Sequence, residues 1–118
     1  MTIRAELKSL MCSDFDMRTY VPETRDLFAF WVEMEIGPVG EKSSDLFQVF
    51  VCTPRWLDQE VHRWGAQWSH AKLIINSYSF SELESFLSRA VSSVEGRDWA
   101  EVASKLRLVA DWEFDGYA

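Results

Sequence analysis

The chain predicts an α+β fold: an antiparallel sheet, made of a meander of three strands plus a fourth, with two to three helices packed on one face. Three features point to it. Leu27–Ile36 and Leu46–Cys52 are apolar, β-prone stretches separated by turn chemistry at Gly37-Pro38-Val39-Gly40. Thr53-Pro54 then converts the second stretch directly into a helix, because threonine caps a helix and proline fits its first position. Two further capped stretches with three-four apolar spacing follow, starting at Ser79 and Asp98. Helices with one apolar stripe bury it on a sheet face, which gives a two-layer sandwich.

The elements follow in order. Thr2–Met11 alternates Ile3, Ala5 and Leu7 with Arg4, Glu6 and Lys8, the pattern of a half-buried strand near an edge. Ser13–Asp26 is polar, acidic and broken by Pro22, so it reads as a loop. In Leu27–Ile36, Phe28, Phe30, Val32, Met34 and Ile36 share the face expected in the core. The opposite face holds Trp31 beside Glu33 and Glu35. Leu46–Cys52 is apolar on both faces and reads as the central strand. After Pro54, Leu57, Val61 and Trp64 mark the inner face of the first helix, which Gly65 ends. Lys72–Asn76 is a short fourth strand around Leu73, Ile74 and Ile75.

The second helix begins with the Ser79/Glu82 capping box, with Tyr78 placed to staple onto Leu83. Leu83, Phe86, Leu87, Ala90, Val91 and Val94 form its stripe, and Gly96 stops it. Asp98 with Glu101 caps the third helix, whose inner face is Trp99, Val102, Ala103 and Leu106. The tail alternates acid with aromatic or glycine from Asp111 to Tyr117 and reads either as a last strand or as an extended segment.

Length and composition set the class. A chain of 118 residues is expected to be a single domain, 1–118, able to bury about two thirds of its unfolded surface without a staple. It is 47% hydrophobic and 14% aromatic, too rich for disorder. Six Trp and eight Phe exceed what one small core hides easily, so some are expected at an interface. A net charge of −7 and a pI near 4.7 speak against nucleic-acid or anionic-membrane binding and favour a basic partner or simple solubility. Charged residues stand where a signal peptide would be apolar, and a membrane span is absent, so a cytoplasmic protein is expected. Two cysteines forty positions apart make neither a disulfide framework nor a zinc spacing.

Chemistry is sparse. Cys52 precedes a helix N-terminus, a place that can lower a thiol pKa, with His62 or His70 as a conceivable base. Cysteine is more often a small buried hydrophobe, and no catalytic signature surrounds this one. His62 and His70 lie eight apart, off the spacing of a ligand pair on one helical turn. Glu33 and Glu35 share a strand face as paired acids or as a solvated surface. The chain has no glycine-rich phosphate loop, and its cations are scattered. No catalytic residue, cofactor or metal is expected.

Several strings together carry a resemblance: AELKSL at Ala5–Leu10, EIGP at Glu35–Pro38, VCTPRWL at Val51–Leu57, LII followed by Tyr78, DWAEVASKL at Asp98–Leu106 and WEFDGY at Trp112–Tyr117. The chain resembles the immunity protein 8 family of bacterial polymorphic-toxin systems over nearly its whole length. VCTPRWL and the WEF-plus-Tyr ending are the most specific pieces, and Gly116 stands where that ending carries an acid. The resemblance implies a cytosolic antidote that binds and neutralises a toxin domain, without catalysis. An acidic antidote suits a basic toxin through faster encounter. The contact residues expected are Trp31, Glu33 and Glu35 on the strand face, or Asp111, Glu113, Asp115 and Tyr117 in the tail, since there acid stands next to aromatic. Two rivals remain open: a homodimeric structural or adaptor domain using the aromatics on itself, and a thiol hydrolase using Cys52.

Overall fold

The apolar alternation of the first half of the chain produces three consecutive antiparallel strands in the computed structural model, which describes residues 2–115. They are β1 (Ile3–Met11), β2 (Ala29–Pro38) and β3 (Asp45–Cys52), paired in chain order. Next come α1 (Pro54–Trp64), β4 (Lys72–Ile74), α2 (Phe80–Ser92), β5 (Glu95–Gly96), α3 (Trp99–Leu106) and β6 (Asp111–Trp112).

The sheet is mixed and six-stranded, not the simple antiparallel arrangement the sequence suggests. β4 runs parallel to β3, pairing Phe50 with Lys72 and Cys52 with Ile74. The cause is α1: a helical crossover between neighbouring strands returns the chain in the same direction, whereas a tight hairpin reverses it. Two very short strands complete the edges. β6 lies antiparallel beside the start of β3, at Phe47–Trp112 and Gln48–Asp111. β5 covers only Ile3 and Arg4 of β1. The single gap in alternation on β1 is a register shift between Leu7 and Ser9.

The core lies between one sheet face and two of the helices. Phe30, Val32, Met34 and Ile36 of β2 and Phe47, Val49 and Val51 of β3 are buried there. Leu83, Leu87 and Val91 of α2 and Val102, Ala103 and Leu106 of α3 meet them. Each such side chain contributes roughly 1.5–3 kcal/mol by leaving water. The loop before β2 seals one end, where Phe15 stacks on Tyr20 at 3.7 Å and both rings stand edge-on to Phe30. Tyr78 joins this cluster against Tyr20, Phe28 and Phe30, and its hydroxyl donates to the Met17 carbonyl.

α1 departs from the expected layer. It buries no residue fully, and its Trp56 ring lies 5.0 Å from Phe50, on the sheet face opposite α2 and α3. Only two helices therefore cover the core face. The start of α1 is firmly held nonetheless. Thr53 is fully buried, and its hydroxyl accepts from Trp56 N–H at 3.3 Å and Phe28 N–H at 3.4 Å. Gly65 ends the helix at φ 83°, a conformation that favours glycine. At the other end of β3, Asp45 Oδ2 accepts from the indole N–H of Trp99 at 2.7 Å and of Trp112 at 3.0 Å, tying α3 and β6 to the sheet.

Candidate partner-binding face

Because side chains alternate across a strand, the registers above decide what shares the uncovered face. Trp31 sits opposite Phe50, and Phe50 sits beside Lys72. The neighbouring row runs Met11, Glu33, Gln48, Asp111 across β1, β2, β3 and β6. The row beyond it holds Ser9, Glu35 and Leu46. Of the residues singled out from sequence, Trp31, Glu33 and Glu35 of β2 are thus joined on one surface by Asp111 of β6.

The aromatic part of that surface is a continuous chain. Trp31 is 45% exposed and packs edge-on against Phe50 at 5.1 Å, and Phe50 carries Trp56 of α1 at 5.0 Å. Lys72 Nζ stands 5.8 Å from the Phe50 ring centre, a cation over an aromatic face. The acidic part is only partly neutralised. Asp111 Oδ1 lies 2.9 Å from His70 Nε2, and Glu6 pairs with Lys8 at 2.7 Å. Glu33 is half-buried and Glu35 exposed, and neither has a cationic partner among the described residues.

The tail residues take different positions. Trp112 turns inward and stacks on Phe47 at 6.3 Å, which leaves Asp111 facing outward. Glu113 is bonded to the sheet margin: its Oε1 accepts from Leu46 N–H at 2.9 Å, and its own N–H donates to Leu46 O. Asp115 pairs with Arg107 at 2.7 Å and accepts from Trp112 N–H at 3.4 Å. Tyr117 lies outside the described residues. The acids of the tail therefore fasten β6 as well as charging the surface.

One set of surface residues was missed from sequence. Val61 is 42% exposed, Trp64 69% and Trp68 88%. The helical spacing of Val61 and Trp64 reads as an inner face, and spacing alone cannot say whether anything packs on it, while Trp68 lies in the connection after Gly65.

The groups that could do chemistry are placed otherwise. Cys52 is fully buried, and burial pushes its thiol pKa up, against a smaller lowering by Lys72. A thiol so placed stays protonated at neutral pH, the reverse of what a nucleophile needs. His62 Nδ1 faces the Asp58 carbonyl at 2.8 Å, and His70 faces Asp111. Among the described residues, no group of three or more His, Cys, Asp or Glu side chains is arranged to hold a metal ion. No helix of the described residues is long and apolar enough to cross a membrane. What the surface offers is a broad face of exposed indole and carboxylate, suited to docking on another macromolecule.

A family model described as Immunity protein 8 matches residues 5–117, from within β1 through β6. No curated protein and no solved structure matches the chain at a significant level.

Proposed function

We propose that this chain, which belongs to the immunity protein 8 family, neutralises a toxin domain by binding it stoichiometrically, without catalysis, in the cytoplasm. The observation that carries the reading is the gathering of Trp31, Glu33, Glu35 and Asp111 on the sheet face that α2 and α3 leave uncovered. Glu113 and Asp115 flank it at the β6 margin, and Tyr117, outside the described residues, is proposed with them from its place in the sequence. Exposed indole supplies an anchor, and unpaired carboxylates supply a negative field. The partner that fits is a basic toxin domain. Association with it is accelerated by the chain's net charge of −7 and slows as salt is added.

The test reverses charge in each set separately. Glu33→Lys with Glu35→Lys is expected to lower the association rate for the toxin domain by about tenfold or more at low salt. Asp111→Lys is expected to act in the same direction more weakly, since His70 already sits on that carboxylate. Melting temperatures are measured alongside. Unchanged toxin affinity in both sets rejects this face as the contact.

A further inference from the structure

The apolar side of α1 is half-buried in its first turn, at Trp56 and Leu57, and exposed beyond it, at Val61 and Trp64. An isolated helix of 11 residues is marginal in water and normally persists by packing its apolar face. Here the helix is held by other means. Thr53 caps it, Pro54 starts it, Arg55 reaches Asp26 at 3.0 Å, and Trp56 rests on Phe50. Those contacts all lie in its first turn, while Val61 and Trp64 stand exposed beyond them. Trp68 follows on the next turn of chain, where Lys72 Nζ donates to its carbonyl. A fold gains nothing from holding two tryptophans in water, and each can bury roughly 150–250 Å² on a partner.

We infer that the exposed stripe of α1, Val61 and Trp64, together with Trp68, is the apolar half of the same docking surface, seated in an apolar pocket bordered by basic residues on the toxin domain. This rests on the function proposed above. Two observations choose that occupant over a second copy of the chain. The ring series Trp56–Phe50–Trp31 makes α1 continuous with the sheet face that carries Glu33 and Glu35. Those carboxylates have no cation of their own, so a copy of this chain, itself at −7, would bring like charge against them, whereas a basic partner neutralises them. The two halves then divide the work. The acids set encounter and salt dependence, and the tryptophans set residence time.

The experiment measures binding kinetics of the full chain against the purified C-terminal domain of any polymorphic toxin encoded beside its gene. Val61→Ser with Trp64→Ser, and separately Trp68→Ser, are compared with Glu33→Gln/Glu35→Gln. Loss of the stripe is expected to raise the dissociation rate about 30-fold or more, with the association rate and its salt slope unchanged. The glutamine pair is expected to flatten the salt slope. Because these positions are exposed, melting temperatures stay at the parent value, and Trp68→Ser, outside any helix, guards against a helix defect. Parent-like dissociation in both stripe variants overturns the inference while leaving the proposed function standing. A dimer in sedimentation that these substitutions abolish also overturns it, since the stripe would then be a self-interface. Failure of the parent chain to bind that domain removes the proposed function itself.

Discussion

At the scale of single residues, two positions hold the backbone in place. Gly37, near the end of β2 and paired with Glu6, would bring an added Cβ to 1.9 Å from the Ser43 carbonyl oxygen. That neighbour is backbone and cannot swing aside. Gly37→Ala is therefore expected to cost about 1–3 kcal/mol, read as a lowered denaturant midpoint with an unchanged slope. Thr53 serves two N–H groups from a site without water. Thr53→Val keeps the shape and removes the acceptor, and an expected loss of about 1–2 kcal/mol in the same titration checks the role. Thr53 was visible beforehand as a cap, whereas Gly37, read as part of the turn, is a strand residue paired with Glu6. The close approach of Ser43 depends on how the loop after β2 folds back, and the second bond to Thr53 comes from Phe28, 25 residues away, so neither was visible.

At the scale of elements, α2 and α3 were legible as capped helices, although α2 ends at Ser92 and the Gly96 expected to stop it lies in β5. Their caps are the ones expected, with Ser79 accepting from Glu82 N–H at 3.4 Å and Asp98 from Glu101 N–H at 2.8 Å. Leu83, Leu87 and Val91 of the α2 stripe and Val102, Ala103 and Leu106 of α3 are buried as expected, whereas Phe86 and Ala90, at the margin of the α2 stripe, are exposed. α1 was legible as a helix from Thr53 to Gly65 but not as an exposed one. The reason is physical: periodicity records that one side is apolar, and only tertiary placement says what meets it. β5 escaped notice because two residues carry no alternation. β6 is the element whose loss has a clear signature. Asp45→Asn weakens the acceptor for both Trp99 and Trp112, so it is expected to loosen α3 and β6 together. Amide exchange at Leu46 and Glu113, which bond across that margin, should rise in this variant. Protection there equal to the parent's would mean that Phe47–Trp112 stacking alone holds the strand.

At the scale of the whole molecule, stability should respond to alkali more than to neutral pH changes. Cys52, Tyr20 and Tyr78 are all pushed up, with burial as the largest cause, so each holds its proton more tightly folded than unfolded. Above the ordinary thiol and phenol ranges the folded state binds more protons than the unfolded one, and stability falls as pH rises. The melting temperature is expected to be flat near neutrality and to fall from about pH 9 upward, with Tyr20→Phe showing a shallower decline. An equal decline in that variant would assign the effect elsewhere.

Legible in the residues alone were the class of fold, the core-facing residues of β2, the capped helices, the negative charge and the family resemblance. These are local or additive properties: alternation, spacing, cap chemistry and composition act over a few residues or sum along the chain. Tertiary contacts were needed to set β4 parallel, to place α1 on the opposite face with Trp64 in water, and to bring Asp111 onto the surface that carries Trp31, Glu33 and Glu35. Those outcomes depend on register and on crossover direction, which are set by contacts between segments far apart in the chain. A pattern within either segment alone does not contain them.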